Sequence, residues 1–382
     1  MRRAAVVFVP LALLFWLLTA AALDQRRARL SAALVRAVNS HNAPGAEEAL
    51  ARGADPDTRD WKTEYTEGST PFRPPWYEKP LAVLMRRKPR PADPYVAPTV
   101  LMIAAFHGDT RIVRSLLDHG AETTQTGTSL ESQKNSAGVY DTASPVFEAV
   151  LSRSTPTALL LIQRGSRKAL DLRSQFGQTL LMQADQIEIA NSLINHGADV
   201  NARDDNGWTP VMYAVQNLDL ASDVRVISAL LDRGAEVNAV SKRGETPLTL
   251  ACQDHMDFNG KGQGRRTAAV KLLLARGAAV NFHARFSDPP LLLAAEDRNL
   301  ETVRALLSQG ANVNSQNREG ETALMLVSYD WSWKLDPHWK AERWAMQKLL
   351  LGYGADPSIK DKYHHKTAAQ HQDEDDPWMP SS

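Results

Sequence analysis

The stretch Gly197-Ala198-Asp199-Val200-Asn201-Ala202-Arg203-Asp204-Asp205-Asn206-Gly207-Trp208-Thr209-Pro210-Val211-Met212-Tyr213-Ala214 holds a helix end, a turn and a helix start within eighteen residues. Upstream of Gly197, apolar residues fall at positions minus seven, minus four and minus three, which is one face of an α-helix. Gly197 ends that helix, because glycine tolerates the left-handed conformation of a C-terminal cap. Asp204-Asp205-Asn206-Gly207 is turn-forming and suited to a hairpin. Thr209-Pro210 opens the next helix: the hydroxyl can cap an orphan N–H, and proline at the first helical position loses no hydrogen bond.

The same order recurs along the chain. Gly-Ala appears at 53, 120, 197, 234, 277, 310 and 354, and Gly165-Ser166 is a degenerate eighth copy. The apolar triplets upstream include Val113, Leu116, Leu117; Ile227, Leu230, Leu231; Val270, Leu273, Leu274; and Val303, Leu306, Leu307. Twelve residues after four of the glycines come Thr209-Pro210, Thr246-Pro247, Pro289-Pro290 and Thr322-Ala323, with Thr99, Ser144 and Thr179 as variants. Each unit therefore reads as hairpin, helix, helix, glycine.

This pattern resembles the ankyrin repeat, on Gly207-Trp208-Thr209-Pro210-Val211-Met212-Tyr213-Ala214, on Gly244-Glu245-Thr246-Pro247-Leu248-Thr249-Leu250-Ala251 and on Gly-Ala-Asp-Val-Asn at 197–201. The resemblance covers residues 30–371 in about eight units and is sharpest from 177 to 325. It implies an all-α solenoid. The expected divisions are 1–23, a signal-anchor or signal peptide; 24–98, a degenerate capping repeat with a long hairpin insertion; 99–371, the array; and 372–382, an acidic disordered tail.

Departures from the spacing locate insertions. The capping hydroxyl precedes the next glycine by 21 residues in uninterrupted units, but by 25 after Thr209, 31 after Thr246 and 32 after Thr322. These insertions fall between paired helices. Two others, before Thr99 and before Ser144, fall in hairpins. Thr179 to Gly197 is only 18, so that unit's turn or first helix is trimmed.

The N-terminus has a different character. Arg2-Arg3 precedes an uncharged run from Ala4 to Leu23. Twenty residues of helix reach about 30 Å, enough to cross a hydrocarbon core. Ala20-Ala21-Ala22 could also serve signal cleavage. Arginines lie at both ends of the run, so the positive-inside rule decides little. A lone N-terminal span more often sends the following domain outward, which puts the array on the periplasmic or exoplasmic side.

Composition narrows the function. Lys plus Arg and Asp plus Glu are 44 each, so the basic balance of a dedicated nucleic-acid binder is missing. One cysteine, Cys252, forms neither an internal disulfide nor a cysteine-based zinc site. The Gly260-Lys261-Gly262-Gln263-Gly264 loop lacks the phosphate-loop order. His119 and His196 precede capping glycines and read as structural, while His364-His365 beside the acidic tail is at most an adventitious metal ligand. Glu47-Glu48 reads as a solvated pair. Arg86-Arg87-Lys88-Pro89-Arg90 is a solvated loop or a contact for anionic head groups. Trp61, Tyr65, Phe72, Trp76 and Tyr77, and Trp331, Trp333, Trp339 and Trp344, either cover the stack ends or form a partner patch. No catalytic constellation is legible, and no cofactor or metal is expected.

The resemblance implies that the slot between glycine and threonine points from the hairpin tip toward the concave binding face. It sets Trp208, Lys242, Arg243, Glu245, Phe282, His283, Arg285, Arg318 and Glu321 on one surface. Trp208, an apolar residue at a turn tip, reads as a binding residue rather than a packing one. The expectation is a monomeric, non-enzymatic recognition module held at or exported across a membrane, with a protein partner. The chain resembles bacterial membrane-associated or exported ankyrin proteins, some of which neutralise toxins or protect envelope enzymes. An inhibitory, immunity or protective role is the corresponding expectation, and a cytoplasm-facing membrane-tethered scaffold is the alternative.

Overall fold

A computed structural model describes residues 11–60, 97–128, 130, 142–174, 176–219, 224–253, 263–282, 287–328 and 337–371. The chain divides into two compact units, residues 1–175 and 176–382.

In the first unit the helices are α1 (Leu11–Asn39), α2 (Ala43–Ala51), α3 (Val100–His107), α4 (Thr110–Asp118), α5 (Pro145–Leu151), α6 (Thr155–Arg164) and α7 (Arg167–Leu170). They form two layers. One row runs α1, α3, α5 and the other α2, α4, α6, and each helix packs on its neighbours within and across the rows. The one sheet among the described residues is the two-residue antiparallel pair β1 (Gly127–Thr128) and β2 (Thr142–Ala143), at the base of the second hairpin insertion. Arg59 and Thr99 bridge in the same way at the base of the first.

The second unit repeats the plan with α8 (Leu180–Gln183), α9 (Ile187–Asn195), α10 (Pro210–Gln216), α11 (Val224–Asp232), α12 (Pro247–Cys252), α13 (Gln263–Ala275), α14 (Pro290–Glu296), α15 (Leu300–Ser308), α16 (Ala323–Ser328) and α17 (Pro337–Gly352). The rows are α8, α10, α12, α14, α16 and α9, α11, α13, α15, α17. A 3-10 turn at Ala368–His371 closes on α16. The trimmed unit is now explained: α8 has four residues where its counterparts have six or seven. The helix–helix insertions lie between α10 and α11, α12 and α13, and α16 and α17, as the spacing predicted.

The periodic apolar residues form the core. Val113, Leu116, Ile227, Leu230, Val270, Leu273, Val303 and Leu306 are all fully buried. The glycines at 53, 120, 197, 234, 277, 310 and 354 take φ between 82° and 93°, a region that penalises any Cβ. Expected hydroxyl caps form at Thr99, Ser144 and Thr246, which accept from the N–H groups of Met102, Phe147 and Thr249. Thr209 departs from the expectation: its buried hydroxyl accepts no cap bond, and proline alone starts α10.

The asparagine of the Gly-Ala-x-Val-Asn pattern ties each hairpin to the next. Asn201 donates to the Gly234 carbonyl (3.0 Å) and accepts from the Glu236 N–H (2.8 Å). Asn238 does the same with Gly277 and Ala279, Asn281 with Gly310 and Asn312, and Asn314 with Gly354 and Asp356. The carboxamide has one donor and one acceptor side, so it satisfies a carbonyl orphaned at a helix end and the N–H two residues beyond it.

Of the apolar run Ala4–Leu23, Ala4 to Pro10 lie outside the described residues. From Leu11 the run continues without a break into the inner helix of the first repeat, since α1 is one 29-residue helix. Residues 22–29 are exposed, and Leu34, Ala37 and Val38 are buried in the first repeat. Among the described residues no helix is long and apolar enough to cross a membrane.

Candidate functional site

The hairpin tips of the second unit are built by residues that the tips themselves hide. Asp204, Ser241, Asn317 and Asp361 each open a tip and are each under 9% exposed. Asp204 Oδ1 accepts from the N–H groups of Asn206 and Trp208. Ser241 Oγ accepts from those of Arg243 and Glu245. Asn317 Oδ1 accepts from the Glu321 N–H, and Asp361 from those of Tyr363, His364 and Lys366. A short polar side chain that folds back on its own turn fixes the backbone locally. The residues at the crest are thereby relieved of turn formation.

Successive tips are joined backbone to backbone. The Asp205 N–H donates to the Phe176 carbonyl (3.1 Å), Lys242 to Asn206 (2.9 Å) and Lys362 to Glu319 (2.8 Å). The ammonium groups reinforce this ladder: Lys242 Nζ donates to the Asp205 carbonyl (2.6 Å) and Lys362 Nζ to the Arg318 carbonyl (2.9 Å). The crest therefore presents, in order, Phe176, Asp205-Asn206, Lys242-Arg243, Arg318-Glu319 and Lys362-Tyr363. Tyr363 is 72% exposed and Phe176 44%.

Lys242 and Arg243 lie on a tip joined to the Asn206 tip and Arg318 on a tip joined to the Lys362 tip; the tip between them falls outside the described residues. Trp208, Glu245 and Glu321 lie lower, on the returning arms, and all three are half-buried. Phe282 is half-buried at the end of the following hairpin arm, and its N–H donates to the Ala279 carbonyl. His283 and Arg285 lie outside the described residues.

Trp208 differs from the expectation. Its indole Nε1 donates to Glu245 Oε2 in the next repeat (2.9 Å), and its ring meets Tyr213 edge-on at 5.3 Å. Glu245 Oε2 also accepts from Ser241 Oγ (2.8 Å). Tyr213 donates to Asp204 Oδ2 and accepts from Gln178 Nε2, both at 2.7 Å. Burial first, and the bond to Asp204 second, push the Tyr213 hydroxyl well above the ordinary phenol range. Trp208 links its own turn to the next repeat. The sequence reading missed Phe176 and Tyr363, although both follow the turn register, since Tyr363 stands two residues after Asp361 as Arg243 does after Ser241.

The other candidates sort as follows. His119 and His196 are structural: each ring Nδ1 bonds the carbonyl four residues back at 2.8 Å, the same carbonyl that the histidine's own N–H reaches at the helix end. Glu47 forms a solvent-exposed bidentate pair with Arg111 of the next repeat (2.7 and 2.9 Å). Trp344 is 51% exposed on α17 with Lys348 Nζ 5.3 Å above its ring. Trp331, Trp333, the aromatic insertion from Trp61 to Tyr77, the basic run at Arg86–Arg90, Gly260-Lys261-Gly262 and the acidic tail lie outside the described residues. So does the side chain of Trp339. Cys252 is buried, which pushes its thiol far up and makes it unreactive.

Comparison with known proteins bears on this architecture. A family profile described as ankyrin repeats in three copies matches residues 146–241 and 262–361, and a single ankyrin repeat matches 99–127. Among solved structures the chain is similar to one titled as the ankyrin repeat domain of Bcl-3, a unique member of the IkappaB protein family. The two are 27% identical with a TM-score of 0.45, over 61% of this chain and 95% of that one. No curated protein matches.

Proposed function

The chain belongs to the ankyrin-repeat family, a family of protein–protein interaction modules, and from that premise we propose that the second unit binds a protein partner along its row of hairpin tips and the adjoining concave face. The observation that carries this reading is the division of labour at the tips. Buried Asp204, Ser241, Asn317 and Asp361 hold the turns, while Arg243 and Tyr363 give the turns only their backbone N–H groups. Aromatic and arginine side chains concentrate interface energy, so an aromatic at each end of a charged row suits a protein surface. The non-enzymatic reading rests on the family, whose members are typically binding modules.

The module is held at a membrane by the apolar run Ala4–Leu23 and faces the periplasmic or exoplasmic side. An inhibitory, immunity or protective role toward an exported protein or incoming toxin is consistent with that placement. Continuity of α1 with the first repeat supports the tethered arrangement, because it leaves no linker between run and array. The test has two arms. Chemical crosslinking in intact cells should capture one partner with the wild type, and Tyr363→Ser combined with Arg243→Glu should lose it without a change in melting. Protease treatment of a C-terminally tagged chain should remove the tag in spheroplasts but not in whole cells. Equal capture by the double variant overturns the tip surface; a tag that survives in spheroplasts overturns the sidedness and favours the cytoplasm-facing scaffold.

A further inference from the structure

The turns between paired helices place three ligand-bearing side chains together at the edge of the first unit. His41 stands in the turn between α1 and α2 of the first repeat. His107 ends α3, and Asp109 precedes α4, in the second repeat. One ring nitrogen of each histidine and a carboxylate oxygen of Asp109 all lie within 4.8 Å of one another. The imidazole rings are 4.4 Å apart between centroids, inclined at 42°. His41 Nδ1 is 2.8 Å from Asp109 Oδ2.

Two features set this cluster apart from the same turn elsewhere. The turn residue takes left-handed φ in four repeats: 56° at His41, 73° at Gly108, 58° at Arg153 and 58° at Arg298. The strained conformation thus belongs to the turn, and the histidine is an addition to it. The next residue is the helix cap. Asn42 and Asn299 use their side chains to accept from Gly45 and Thr302. Asp109 makes no such bond, as Ser154 makes none, but unlike Ser154 its side chain turns to a histidine of the preceding repeat.

We propose that His41, His107 and Asp109 form a site for a divalent transition ion of the zinc class, clamping the first repeat to the second. Two imidazoles and one carboxylate match the nitrogen and oxygen preference of such ions and not that of calcium or magnesium. Metal–ligand bonds of about 2.0–2.1 Å put tetrahedral neighbours about 3.3 Å apart, so small side-chain rotations close the cluster. The His41–Asp109 contact opens by about half an ångström in the process. Both histidines are exposed, so the ion has a path in, and water completes its coordination. The clamp joins two units in an array whose stability passes between neighbours, and the first of these units carries the apolar N-terminal run.

The experiment is titration of the full chain, carrying no histidine tag, with Zn2+ by calorimetry and with Co2+ by visible absorption. The wild type should bind one ion per chain at this site and melt higher in its presence. His41→Asn keeps a residue that tolerates the left-handed turn, and His107→Gln alters only an exposed side chain. Each should weaken Zn2+ binding by more than about a hundredfold, beyond the roughly 10–100-fold that loss of an outer-shell partner costs. Each should also abolish the Co2+ absorption while leaving metal-free melting unchanged. The double change His364→Ala, His365→Ala should leave the binding intact. Binding that survives both His41→Asn and His107→Gln, that disappears in the His364–His365 variant, or that is absent from the wild type overturns the assignment. If His41→Asn also lowers metal-free melting, His107→Gln alone decides.

Discussion

Replacing Trp208 by alanine separates packing from binding at the residue where sequence and structure disagree. Three contributions are lost. The edge-to-face contact with Tyr213 is worth about 0.5–1.5 kcal/mol. The indole bond to Glu245 contributes about 1 kcal/mol at a half-buried site. Half-burial of the ring removes on the order of 50–100 Å² of apolar surface, or about 1–2 kcal/mol. The total is about 2.5–4.5 kcal/mol before relaxation reduces it. Trp208→Phe keeps a ring and loses only the N–H, and should cost about 1 kcal/mol. The assay is urea unfolding followed by far-ultraviolet circular dichroism, with a double-mutant cycle between Trp208→Phe and Glu245→Ala. The coupling should be about 0.5–1 kcal/mol, because the two side chains meet across a repeat boundary. A cost below about 0.5 kcal/mol for Trp208→Ala with an unchanged denaturant slope, or a cycle that closes to zero, refutes the packing account and restores Trp208 as a pure contact residue.

Other consequences are open to similar measurement. Leu230→Ala, at a fully buried position of α11, should cost about 2–5 kcal/mol and loosen the neighbouring repeats in hydrogen exchange; unchanged protection there contradicts the two-row core. Asn238→Ala deletes both bonds to the next hairpin, at Gly277 and Ala279, and should cost about 1–2 kcal/mol in chemical denaturation, whereas a neutral result means that water replaces them fully. Tyr213→Phe should destabilise below pH 10. The folded state raises the Tyr213 pKa, so its contribution is complete below the unfolded value and is lost as pH climbs past it. The wild-type advantage should therefore shrink above pH 10, and a pH-independent gap refutes the burial of that hydroxyl.

Much of the fold was legible because its signals are local. A left-handed glycine, an apolar triplet at helical spacing and a hydroxyl–proline start each act within one turn of chain, so the sequence states them directly. Insertion sites followed from counting between these marks, and α8 is short where the count falls short. The candidate surface was legible only in part. Lys242, Arg243 and Arg318 follow a turn register that sequence carries. Trp208 did not, since its partner Glu245 lies 37 residues away in the next repeat and only stacking brings them together. The caps show the same division: the Thr209 hydroxyl matches the motif yet makes no cap bond.

From its sequence alone this protein is an ankyrin array, with its helices, glycine caps, insertion sites and apolar N-terminal run fixed by short-range chemistry. Tertiary structure decided which side chains the stacking consumes and which it leaves outside. It turned Asn201, Asn238, Asn281 and Asn314 into ties between hairpins, buried Asp204 beneath a tip and left Tyr363 upon one. It also gathered His41, His107 and Asp109 from two repeats into one cluster. The reason is geometric: periodicity along a chain specifies a face, and only the packing of one repeat on the next specifies what that face touches.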